Sequence, residues 1–199
     1  FNCQQVTHDY NQAFEAVIRT ALELDVDALV ANMVWVWTGL SEGIGLKYYA
    51  APGIHVDPTV GFQYREPAEG EAFMLETEYD ALIDDPTGFL LNTWLPRAAA
   101  PVQPLGQPAT AANNLSFLRG GMSMMAYFGA LGPQVERMRK EAAMPSAIAG
   151  ILKAPLDIIA DKLRGYLGLL SDLETQPKKV LAACEALAPH LYNVALTSS

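Results

Sequence analysis

Cysteine is scarce in this 199-residue chain: there are two, Cys3 and Cys184, far apart in sequence. A disulfide between them is open but unforced, and the pattern favours a reducing compartment, so the expected location is the cytoplasm. Histidine is almost as scarce. His8, His55 and His190 are scattered, and no CxxC or HxxxH spacing exists, so no metal ligand set is expected in this segment. Basic residues are in the minority, 13 against 22 acids, for a formal net charge of −9. Without a basic stripe to neutralise phosphates, a nucleic-acid partner is disfavoured, and so is an anionic membrane surface. No apolar run reaches about 18 residues, so no spanning helix is expected, and no basic-then-apolar leader opens the sequence. Gly43-Ile44-Gly45 lacks the rest of a dinucleotide fingerprint, and there is no P-loop.

Apolar material, by contrast, is ample: 51% of residues, enough to bury the core of one domain. Asp9 to Leu24 repeats apolar residues at Ala13, Phe14, Val17, Ile18, Ala21 and Leu22. The spacing predicts a helix with Asp9 as its N-cap. Asp27 to Trp37 is nearly continuous in apolar, partly β-branched residues and reads as a buried parallel strand, and Ser146 to Lys153 reads as a second. Thr38 to Tyr49, with Gly39, Gly43 and Gly45, reads as a loop or broken helix after the strand. Ala50 to Glu71 is rich in Pro and Gly and irregular, with a short strand at Thr59 to Tyr64. Thr77 to Leu95 predicts two short helices, the second capped by Asp85 with Pro86 in its first turn. Arg97 to Pro108 reads as an exposed connection. Asn113 to Ala143 is helical, with Gly120-Gly121 and Gly132-Pro133 as interruptions, and with Met122, Met124 and Met125 as packing residues. Ser171 and Glu174 have capping-box spacing. The last helix starts near Pro177, carries a stripe of Val180, Leu181, Cys184, Leu187, Leu191 and Val194, and should kink or split at Pro189. Helices alternating with strands indicate an α/β fold.

Behind the second strand, Asp157, Asp161 and Arg164 stand at i, i+4 and i+7, one line on a helix. Two carboxylates so spaced repel unless one meets a cation, a donor or a ligand. Asp157 suits a helix N-terminus, where negative charge is favoured. Asp161 is the sharper candidate for lining a pocket, with Arg164 as its neighbour. Gln63, with Tyr64 and Arg65, follows a glycine in an irregular stretch and is a further substrate-binding candidate. No catalytic residue is assignable. His55 reads as a loop residue, Cys184 as core, and Trp35 and Trp37 as core or pocket wall.

Pro155 and Gly165 are ten residues apart, after an apolar run and before a Pro-Lys-Lys-Val helix start. Upstream lie Gln63-Tyr64-Arg65-Glu66, Glu78-Tyr79-Asp80 running to Asp84-Asp85-Pro86, and Leu95-Pro96-Arg97. Ala154-Pro155-Leu156-Asp157 and Leu163-Arg164-Gly165 complete the set. This order resembles the uroporphyrinogen decarboxylase-like superfamily, and within it the methyltransferase-like branch. The resemblance implies an N-terminal half to two-thirds of a (β/α)8 TIM barrel, a fold that typically needs about 250 residues. It also implies that both ends are cut, and that the C-terminal half of the barrel, or self-association, completes the fold. Its members of that branch move methyl groups between a small-molecule substrate and a corrinoid on a partner protein. They use a zinc held by His and Cys, ligands belonging to the C-terminal half. Genuine uroporphyrinogen decarboxylation is the alternative, yet it would want an acid in the first strand and a Tyr at the position of Asp161. There is no acid from Ala28 to Leu40. A non-catalytic fragment or binding module is the remaining alternative.

Overall fold

A computed structural model describes residues 2–29, 41–42, 44–47, 49–68, 70–104, 106–146 and 152–196. The chain forms two compact units. One comprises Phe1–Gln63 and Ala111–Ala149, the other Tyr64–Thr110 and Gly150–Ser199.

Of the described residues, 67% are helical and 6% lie in strands or bridges. This overturns the α/β partial TIM barrel expected from the sequence. A barrel segment needs several parallel strands closing on one another. The sheet found is two strands of two residues each, Tyr49–Ala50 and Gln63–Tyr64, so the short strand expected from Thr59 shrinks to its last two residues. The strand expectations at Asp27–Trp37 and Ser146–Lys153 fall largely on residues 30–40 and 147–151, outside the described residues. What is described there is one isolated parallel bridge between Leu29 and Ser146. The physical lesson is that a short apolar run between helices carries no period of its own. Periodicity alone does not assign it to a strand.

In the first unit, Asp9 accepts a hydrogen bond from the Gln12 amide at 3.0 Å and caps the helix Tyr10–Leu24, as the sequence predicts. Its buried face is Ala13, Phe14, Ile18 and Ala21, while Leu22 points to solvent. It packs on a 32-residue helix, Ala111–Ala142. Tyr10 meets Tyr127 with ring centroids 6.3 Å apart, and Arg137 pairs with Glu15 and Glu141. The expected interruptions do not occur. Each helical glycine costs about 1 kcal/mol against alanine and an internal proline about 3. The burial of Tyr127, Gln134 and Met138 together with these pairs offsets the breakers. Met122, Met124 and Met125 are exposed rather than packed.

The second unit has its own core of Met74, Tyr79, Leu82, Phe89, Ile159, Leu163, Leu169, Val180 and Leu187, among others. Asp85 accepts from the Gly88 amide at 2.9 Å and starts the helix Pro86–Phe89, with Pro86 in the first turn. The helix Pro177–Ala195 runs through Pro189 and lays Val180, Ala183 and Leu187 on Tyr79–Asp84. Ala98, Ala99 and Val102 are buried, so the segment after Arg97 is not the exposed connection its composition suggests. Two stretches are π-helical, Leu90–Trp94 and Ile159–Arg164. They are tied together, because the Trp94 indole Nε1 donates to the Lys162 carbonyl at 2.6 Å.

Candidate functional site

The second unit holds a polar frame built from residues far apart in sequence. Asp172, 1% exposed, is its centre. The Arg164 guanidinium donates to it through Nε at 2.5 Å and Nη2 at 3.1 Å, and the Tyr79 hydroxyl donates at 2.8 Å. Arg164 Nη1 reaches the Met74 carbonyl at 2.9 Å. Burial works against the charged guanidinium, but the Asp172 bonds and charge outweigh it and raise the Arg164 pKa. The Tyr79 phenol is pushed up by burial and by the neighbouring Asp172 carboxylate. A buried charge so satisfied is a fixed strut.

A second strut joins Arg97 to Glu78. It is bidentate, at 2.7 and 2.8 Å, and Glu78 also accepts from the Leu75 amide at 2.8 Å. The Arg97 guanidinium, with help from the Leu75 amide, holds the Glu78 carboxyl below the usual range despite partial burial. Glu78 titrates near 4.3 when unfolded. With the folded value lower, its contribution is present above that pH and is lost as pH falls through the folded value. The urea midpoint of the wild type is therefore expected to drop more steeply on acidification below about pH 4 than that of Glu78→Gln.

Glu66 makes the third strut. Its two oxygens accept from the Tyr166 and Leu167 amides at 3.1 and 3.0 Å, so it caps the helix Tyr166–Thr175 from a hundred residues away. The Tyr64 hydroxyl donates to it at 2.7 Å. The capping box expected at Ser171 and Glu174 is not used, since Ser171 lies inside that helix. Beside Glu66 opens a cleft of about 740 Å³, bordered by Gly70, Leu75, Thr77, Leu167 and Ser171.

The four residues singled out from the sequence are not brought together. Gln63 is exposed and belongs to the first unit. Asp157 is exposed in the first turn of Pro155–Ile158, where negative charge suits the helix end. Asp161 and Arg164 are buried but do not pair with each other. The π-helical turn widens the register between them, so the straight line drawn with α-helical spacing does not form. Arg164 faces Asp172. Asp161 faces two lysines, Lys153 through a short contact and Lys162 at 3.5 Å. Its other oxygen, Oδ1, is buried without a hydrogen-bond partner. Burial pushes the Lys162 ammonium down to about 8, with Lys153 adding to the effect and Asp161 opposing it. Sequence reasoning missed Asp172, Lys153 and Lys162. Nothing in the local pattern around Asp172 marks it out, because its partners Tyr79 and Arg164 lie on other elements.

Among the described residues no group of three His, Cys, Asp or Glu side chains could hold a metal ion. Cys3, in the first unit, donates its thiol to the Thr59 carbonyl at 3.2 Å. Cys184 is half-buried and its thiol pKa is raised by burial, the opposite of what a zinc thiolate needs. The described residues therefore do not fit a zinc of the His and Cys type. His55 serves its own loop, with Nδ1 accepting from the Ala51 amide at 3.0 Å. Among the described residues no helix is long and apolar enough to cross a membrane. No family model matches the chain, and no curated protein and no solved structure matches it.

Proposed function

We propose that this chain is part of a corrinoid-linked, methyltransferase-like protein of the uroporphyrinogen decarboxylase superfamily, and that its second unit is a substrate-side element of that protein. One observation supports the reading. The residues that carry the resemblance interlock within one unit: Glu66 caps the helix that follows Gly165, Glu78 grips Arg97, and Tyr79 meets Arg164 on Asp172. The proposal rests on these motifs and claims no barrel. The cleft beside Glu66 has the size of a small-molecule site. Zinc ligands of the kind those relatives use would have to be residues other than those described, and the corrinoid would arrive on a partner protein. Two free thiols suit a reducing cytoplasm, and the acidic balance makes a nucleic-acid partner unfavourable. Completion by further sequence or by self-association belongs to the same proposal.

Decarboxylation of a tetrapyrrole is the weaker reading. It wants free cationic side chains for several carboxylates, and Arg97 and Arg164 are both engaged internally. The test is methyl transfer by the natural protein carrying this sequence, supplied with zinc, methylcobalamin and mercaptoethanol. Formation of the methyl thioether, read by mass spectrometry, is expected. Release of carbon dioxide from uroporphyrinogen in its place would select decarboxylation, and neither reaction would leave a binding role alone.

A further inference from the structure

The first half of the Ala111–Ala142 helix, in the first unit, is amphipathic the wrong way round. The side it buries carries Asn113, Ser116 and Gly120, while its large apolar side chains point outward. Leu115, Leu118, Met122 and Met125 stand three and four residues apart, and Ala111, Gly129 and Gly132 continue the same spacing. That is a seven-residue repeat with an apolar or small residue at both inner positions, the seam of a helix that packs along another helix. Phe117, Met124 and Phe128 widen the seam on one flank, and all seven large side chains are 41–70% exposed. Together they present on the order of 700 Å² of apolar surface, above the roughly 300–600 Å² of the largest patch on a typical monomer. A Cβ added at Gly129 or Gly132 would meet nothing, so the backbone lies bare there. Arg119 is the one charged residue between Ala111 and Gly132.

We propose that this face docks a second copy of the chain, the two helices packing antiparallel about a two-fold axis. The area suits a stable partner, since each side of a standard interface buries about 800 Å² and the face supplies nearly that much. The repeat selects a second copy, because reversed about the level of Gly120 it meets itself. Leu118 then faces Met122 of the other copy, Leu115 faces Met125, and Ala111 faces Gly129. A two-fold contact of this kind uses one patch on both copies. Large side chains meet large ones across the middle, and small ones let the helices close at both ends. The charges fix the direction. Glu136 and Arg139 occupy the next two inner positions of the repeat. A parallel pair would set each against its own like, which is unfavourable. In the antiparallel pair both lie beyond Ala111 of the other helix. The proposal gives a surface to the self-association that the functional reading admits, but it rests on the first unit alone. A dimer without methyl transfer would fail that reading only, and a monomer with methyl transfer would fail this one only.

The test is sedimentation velocity on the whole chain from about 1 to 100 μM, a range that spans micromolar affinity. The wild type is expected to sediment as a dimer. Leu118→Glu and Met122→Lys, each alone, should weaken dimerisation at least about a hundredfold, because an unpaired charge is then buried on both sides of the seam. Both replace exposed side chains with good helix formers, so the helical circular dichroism should not change. An equimolar mixture of the two variants should dimerise again, since the new carboxylate at 118 of one copy faces the new ammonium at 122 of the other. In a parallel pair those groups would not meet. A wild type that stays monomeric to the highest concentration leaves the face to another occupant and overturns the proposal. A dimer that survives both substitutions, an open-ended assembly, or a mixture that stays monomeric would overturn it as well.

Discussion

Asp172→Ala is expected to cost about 3–5 kcal/mol of stability, the scale for breaking a buried pair by removing one partner. The reason is the company Asp172 keeps. The substitution strands the guanidinium of Arg164, 9% exposed, and leaves the wholly buried Tyr79 hydroxyl without its acceptor. The guanidinium keeps only its bond to the Met74 carbonyl, and most of the desolvation penalty of the two groups is then uncompensated. Urea unfolding at neutral pH measures the loss. Replacing both charged partners, as Arg164→Met with Asp172→Leu, should recover a large part of it, because apolar residues of similar volume often replace a buried pair at little cost. Asp157→Ala, on an exposed first turn, should stay within roughly 0.5 kcal/mol of the wild type.

Gly165→Ala should be nearly as damaging, at about 2–4 kcal/mol, from backbone strain and loss of a cap together. Gly165 sits at φ 78° and ψ 160°, a conformation that side chains with a Cβ almost never adopt. An added Cβ would lie 2.5 Å from Glu66 Oε1 and 2.9 Å from Pro67 Cδ. The Glu66 carboxylate would have to leave the amides of Tyr166 and Leu167. The stiffer unfolded chain returns under about 1 kcal/mol, too little to matter. In a Glu66→Ala background the cap is already gone, so Gly165→Ala should then cost only the backbone strain and the contact with the Pro67 ring. Comparing the two increments by urea denaturation separates strain from displacement. Equal increments would show that Glu66 is not the group in the way.

What was legible in the sequence was local. Asp9 before an amphipathic run and Asp85-Pro86 before another are cap signals whose partners lie three residues away, and both caps form as read. The fold class was not legible. Apolar runs at Asp27–Trp37 and Ser146–Lys153 suggested strands by composition alone, and helix content elsewhere outweighed them. Gly120-Gly121 and Pro133 read as breaks, but tertiary packing on Tyr10–Leu24 carries the helix through. The frame was legible only in its parts. Tyr79 and Asp172 are 93 positions apart, and Glu66 and Tyr166 are 100 apart. No window of sequence contains both ends of either strut. The line Asp157–Asp161–Arg164 failed for a different reason. It assumed 3.6 residues per turn, and a π-helical turn intervenes, sending Asp161 to two lysines and Arg164 to Asp172.

The central claim is that the motif residues of the second unit act as one frame through Asp172. A double-mutant cycle of Tyr79→Phe and Arg164→Met tests it most directly, since the polar groups of both residues are bonded to Asp172. Urea unfolding of the wild type, the two single variants and the double variant gives the coupling energy. The frame predicts a coupling of about 0.5–3 kcal/mol, as for residues in one hydrogen-bond network. Additivity within about 0.3–0.5 kcal/mol, the behaviour of independent sites, would contradict it.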